Sequence, residues 1–150
     1  MIKKLKKFTK LSVAEKKPFL EAYLMLGIMR VAILTISFKR LTRALEHGAK
    51  PKELAKLREN DLKMAQHIGK SIARASVYTP WESVCLVQAL TAQKMLQRRG
   101  IAGVFYLGAM KDEENQGKMK AHAWSQCGDN IITGERGHES FTVLSVFGWK

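Results

Sequence analysis

The sequence predicts an α+β fold, with helices first and a small antiparallel sheet after them. Three observations carry this reading. Helix-forming segments fill the first two thirds of the chain, and short β-rich runs fill the last third. A helix around Cys85 is bounded at both ends by capping signals. A Gly128-Asp129 pair separates two strand-like runs, as in a two-residue hairpin turn. The chain has 150 residues, 46% of them hydrophobic. That composition excludes intrinsic disorder and suffices for one domain with a real core.

Taken in order, residues 1–11 read as a basic, solvated arm, with seven lysines in the first seventeen residues and only Glu15 against them. Ser12 to Glu15 fits a capping box. Pro18 then argues for a single turn followed by a separate helix over about residues 18–35. Its segment FLEAYLMLGIMRVAIL is apolar almost all round, interrupted by Glu21 and Arg30. All-round apolarity means a core helix or a membrane segment. The stretch is short for spanning and carries two charges, so a buried helix is expected. Residues 38–45 read as a short amphipathic helix ending before Gly48. Over about 52–75, Leu54, Leu57, Leu62, Ala65, Ile68 and Ile72 mark one buried helical face. His47 and His67 read as surface or loop residues. Residues 1–75 thus form a helical region suited to docking a partner or a leader peptide.

Residues 76–150 hold the chemistry. Thr79-Pro80-Trp81-Glu82 sets an N-cap threonine, a proline at the first helical position and a glutamate three residues after the cap. The helix continues through SVCLVQALTAQKMLQRR to Gly100, a left-handed C-cap, with Ile101 packing back on Leu96. Strands follow at about 102–110, 121–127, 130–133 and 140–147, the first two separated by the exposed loop KDEENQGKMK. They form a sheet packed on the Cys85 helix.

The formal charge of +13 points to an acidic partner, whether nucleic acid, an anionic membrane face or an acidic peptide, or simply to lysines that keep the chain soluble. No zinc finger, recognition helix or basic patch interleaved with exposed aromatics accompanies it, so no specific nucleic-acid partner is implied. Cys85 and Cys127 lie far apart, and no cleavable secretory signal precedes them. A structural disulfide is not expected, and a cytoplasmic location is, with membrane association left open by residues 1–36.

Cys85 lies within about two turns of the Thr79 cap, where helix-end N–H groups and the dipole favour a thiolate. Taken alone, it is an ordinary core cysteine among Val84, Leu86 and Val87. His122 changes that reading. In AHAW, strand alternation puts His122 and Trp124 on one face and the alanines on the other. A helix-borne cysteine facing a strand-borne histidine is a nucleophile–base arrangement. Asp129 at the hairpin tip and Glu135, opposite His122 if pairing continues, compete as the group orienting the imidazole. Trp81 and Trp124 are candidate walls of a substrate cleft, with plain core packing as the other reading. Cys85, His122, Cys127 and His138 supply zinc-ligand types, but none has the close pair spacing of a metal site, so no metal is expected.

TPWESVCLVQALTAQKMLQRRGI, FYLGAMKDEE, AHAWSQCGD and ITGERGHESFTVLSVF together resemble the lasso-peptide leader peptidases, cysteine proteases of the transglutaminase-like family from bacterial gene clusters. The likeness is good over about 76–148 and looser over the N-terminal helices. It implies a papain/transglutaminase-like core and a peptidase that removes the leader from a ribosomally made precursor, with Cys85 as nucleophile and His122 as base. It also implies a separate leader-recognition protein and an ATP-dependent lasso cyclase as partners, with no cofactor on this chain. An acyltransferase on the same scaffold, or a basic nucleic-acid- or membrane-binding module, are the alternatives. Family members often carry an aspartate about twelve residues after the histidine, and Gly134 stands there instead. The C-G-D of a subgroup variant ranks Asp129 before Glu135.

Overall fold

In the computed structural model, which describes residues 2–49 and 56–150, the basic lead-in is not a free arm. Residues Ile2–Thr9 form helix α1, seated by the Phe8 ring, 5.2 Å from that of Phe19. Helix α2 then runs unbroken through Val13–Thr35, with Pro18 inside it. The expected break at Pro18 does not occur because the proline lies in the second turn, where its missing N–H removes one bond near the helix end. The Ser12 N–H and hydroxyl donate to the Glu15 carboxylate at 3.0 and 3.1 Å, so this cap fixes the start. The helix is not buried all round. Phe19, Ala22, Leu26 and Met29 enter the core, while the opposite face stays exposed.

A short helix α3, Phe38–Leu41, leads to strand β1, Glu46–His47, so the amphipathic segment is shorter than expected and ends in an edge strand. Helix α4 spans Glu59–Ser76, and Ala65, Ile68 and Ile72 are fully buried on its inner face, as the periodicity predicts. The first part of the expected helix, including Leu54, lies outside the described residues. Gly69 lets α4 approach the sheet closely, since a Cβ there would lie 2.5 Å from the Ile132 carbonyl oxygen.

Helix α5, Cys85–Gln97, is the centre of the molecule, enclosed by α2, α4 and the sheet. It starts later than the Thr79 cap predicts. Thr79 Oγ1 instead lies 2.7 Å from Ser83 Oγ and 3.1 Å from the Ser76 and Trp81 carbonyl oxygens, which ties the connecting loop together. The other end is as expected. Gly100 has φ +68°, and the Ile101 N–H closes the last turn on the Leu96 carbonyl at 3.0 Å.

The sheet contains β2 (Gly103–Asp112), β3 (Lys118–Cys127), β4 (Asn130–Thr133) and β5 (Thr142–Trp149), in the order β1-β5-β2-β3-β4 and antiparallel throughout. The exposed loop is shorter than predicted, because β2 and β3 pair out to Asp112 and Lys118. Cys127 pairs with Asn130 across the Gly128-Asp129 turn, as the sequence implies. The fold is therefore α+β, and residues before and after position 75 share one core that includes Leu26, Ile72, Leu90 and Phe105.

Candidate active site

Cys85 is the first residue of α5, with Val84 as its cap residue. The first helical hydrogen bond runs from the Gln88 N–H to the Val84 carbonyl at 3.0 Å. The N–H groups of Cys85, Leu86 and Val87 therefore have no carbonyl within the helix to bind. The thiol, half-buried, sits where the positive end of the helix dipole is strongest, rather than at the edge of its range as the sequence suggests. Gln88 fixes this turn from below by donating from Nε2 to the Ser83 carbonyl at 2.8 Å.

His122 lies in β3 opposite Gly108 of β2. Its Nε2 is 2.7 Å from the Gly134 carbonyl oxygen. A carbonyl only accepts, so Nε2 carries a proton, and in the neutral ring the lone pair is on Nδ1. The Phe141 ring, 5.0 Å away, and the Trp124 ring, 5.7 Å away, flank the imidazole. The result is an oriented imidazole with Nδ1 free of that bond.

The C-terminal end of α5 is fixed at one end of the sheet, since the chain passes from Gln97 through Ile101 into Gly103, which abuts Cys127 and Trp149. Thirteen helical residues extend about 19 Å from there, and the five steps of β3 from Cys127 to His122 cover about 17 Å. The helix and this stretch of β3 are thus of similar length. Regular pairing with β2 sends Ala123 and Cys127 into the core beneath α5, and His122 with Trp124 to the other face. Among the described residues, no hydrogen bond joins the Cys85 thiol to the imidazole.

A family model for the transglutaminase-like superfamily matches residues 28–146. The chain belongs to that superfamily. Its members include cysteine peptidases and acyltransferases, typically built on a Cys-His-Asp set. No curated protein and no solved structure matches the chain.

In this transglutaminase-like chain neither carboxylate candidate meets the imidazole. Asp129 is exposed in the hairpin turn beyond Cys127, at the far end of β3 from His122. Glu135 is displaced by a bulge: Gln126 pairs with Ile131, but Ser125 pairs with Thr133, one residue further on. That slip brings the Gly134 carbonyl to His122 and leaves the Glu135 side chain exposed. Position 134 admits no acid. Gly134 has φ +75°, and a Cβ there would lie 2.5 Å from the Ala123 carbonyl oxygen and 2.9 Å from Trp124 Cβ. Sequence reasoning missed the Gly134 carbonyl because a backbone acceptor has no side-chain signature. The glycine itself was the one available signal.

Trp81 does not stand free as a cleft wall. Its ring meets Tyr23 at 5.3 Å and presses on Gly27, where a Cβ would be 3.0 Å from Cζ2, and its buried indole N–H has no partner. Trp124 stacks on Tyr106 at 5.3 Å and on His122 at 5.7 Å, with its Cβ close to Gly134. Cys127 is fully buried, and desolvation pushes its thiol up to about 12. Among the described residues no group of three His, Cys, Asp or Glu side chains could hold a metal ion.

Proposed function

We propose that this transglutaminase-like protein is a cysteine peptidase that removes the leader from a ribosomally made lasso-peptide precursor. One observation carries the chemistry: Cys85 opens a helix whose first N–H groups have no acceptor within the helix, and the His122 Nε2–H is held by the Gly134 carbonyl, which leaves Nδ1 as the nitrogen for base catalysis. His122 Nδ1 takes the Cys85 proton, and the thiolate attacks the last leader carbonyl. Helix-end N–H groups then receive the oxyanion. The imidazolium protonates the departing core-peptide amine, and water releases the leader. For that transfer the imidazole must leave the face it shares with Trp124 and reach the α5 side of the sheet. The peptidase and leader assignment rests on the sequence resemblance, with a leader-recognition protein and an ATP-dependent lasso cyclase as its partners.

The test is incubation with a precursor peptide from the same gene neighbourhood, with and without the recognition protein, followed by mass spectrometry. Free leader ending in a carboxylate is the expected product. A leader joined to an added primary amine, without hydrolysis, makes the protein an acyltransferase. Native Cys85 that resists iodoacetamide at all pH values until the protein unfolds rejects both.

A further inference from the structure

The outer face of α2 is apolar along most of its length. Leu20, Leu24, Ile28, Val31 and Leu34 are 49%, 66%, 56%, 60% and 67% exposed. Between residues 20 and 34 these five are the exposed positions, so no polar side chain interrupts them. Steps of four and three residues align them in one stripe, about 21 Å long at 1.5 Å per residue. Single exposed leucines are ordinary on a protein surface, whereas a continuous stripe marks a site of contact.

The helix cannot turn this stripe inward. Its other face holds Phe19, Ala22, Leu26 and Met29 in the core. Glu21 is bound by Arg99, and Arg30 by Glu82 at 3.4 Å. The same contacts keep α2 from leaving the fold as a spanning helix.

Both ends of the stripe are cationic. Lys3, Lys6, Lys7, Lys10 and Lys17 are exposed at one end, and Lys39, Arg40 and Arg43 at the other, beside the exposed Ile36. The carboxylates before residue 46 are Glu15 and Glu21, and each already faces an arginine, Arg74 and Arg99 respectively. The cations are left to attract anions from outside. The stripe itself is Leu, Ile and Val, without the Tyr, Trp, Met or Arg that anchor protein partners. Bulky aliphatics between basic ends suit a helix lying in the headgroup region of an anionic bilayer.

We propose that α2 docks this protein in the plane of an anionic membrane surface, with its outer stripe in the lipid and the basic ends on the headgroups. The docking stands whether or not Cys85 is a nucleophile. The test is flotation of the full chain with phosphatidylcholine vesicles, with and without phosphatidylglycerol. Binding is expected to the anionic vesicles alone. It should fall about tenfold or more in L24Q/I28Q/V31Q and in K39E/R40E/R43E, with circular dichroism unchanged. Alkaline carbonate should strip the protein from the vesicles. Three results overturn the proposal: no flotation with anionic vesicles, undiminished binding of the stripe variant, or a dimer in solution that the stripe variant converts to monomer. Resistance to carbonate overturns the in-plane placement.

Discussion

Cys85 opens a helix half-exposed, whereas Cys127 closes a strand fully buried against Gly103. The two thiols have the same intrinsic chemistry, and the fold separates them. One lies at a helix start whose first N–H groups have no acceptor within the helix. The other lies in the core, where burial raises its pKa to about 12 and keeps it neutral. Position relative to helix ends and core, not residue type, decides which cysteine can act.

Several changes would break or sharpen that contrast. Cys85→Ala should lower leader cleavage by about 10⁴-fold or more, with the melting temperature nearly unchanged. Retained cleavage would remove Cys85 from the mechanism. His122→Ala should lower cleavage by about 10³-fold or more, and the pH profile of iodoacetamide labelling at Cys85 should shift with it. Cys127 should label in neither case until the protein is unfolded.

Gly134→Asp tests the carbonyl against the missing carboxylate. With φ +75° and no room for a Cβ, the aspartate should not restore a carboxylate partner. It should destabilise the protein by about 1–3 kcal/mol and reduce cleavage. A gain in activity would mean that the segment shifts to admit an acid.

Cys127→Ala should cost about 1–2 kcal/mol and leave cleavage largely intact. The wild-type protein should also lose stability as pH rises from about 9.0 to about 12. In that window the unfolded thiol ionises while the folded one stays protonated, so the unfolded state binds fewer protons. Chemical denaturation across this range should show a shallower slope in the Cys127→Ala variant.

The smallest effect should come from Glu21. The Arg99 guanidinium holds its carboxyl below the usual carboxylate range. A lowered folded pKa gives stability that is present at neutral pH and is lost as pH falls through the carboxylate range. Glu21→Gln should cost about 1 kcal/mol or less at neutral pH and nothing in acid.

How much of this was legible depends on where the signal lay. The Gly100 cap, the Gly128-Asp129 turn and the inner face of α4 depend on local geometry with a residue signature, so sequence yielded them. The start of α5 was not legible. The Thr79 hydroxyl is as suited to bracing a loop as to capping a helix, and tertiary contacts chose the former. The two faces of α2 are both apolar, so periodicity could not tell the core side from the stripe. Docking of α1 depends on Phe8 finding Phe19, a contact with no sequence pattern. Cys85 and His122 stand out in the sequence by type and order, but the bulge that brings Gly134 to the imidazole has no such signal.

The sheet order has a consequence for how the chain reaches this state. Strands β2, β3 and β4 form a meander of near neighbours in sequence, whereas β5 lies between β1 and β2. Its partner in β1 is about a hundred residues away, with Glu46 opposite Gly148. Loop-closure entropy disfavours forming that pairing early. The meander with α5 should therefore make up the folding nucleus, and the seam between β1 and β5 should close last. Refolding measurements should then give high φ-values at Phe105 and Ala123 and low ones at Phe38 and His47. A late seam makes the β1 edge the place where the native sheet first opens.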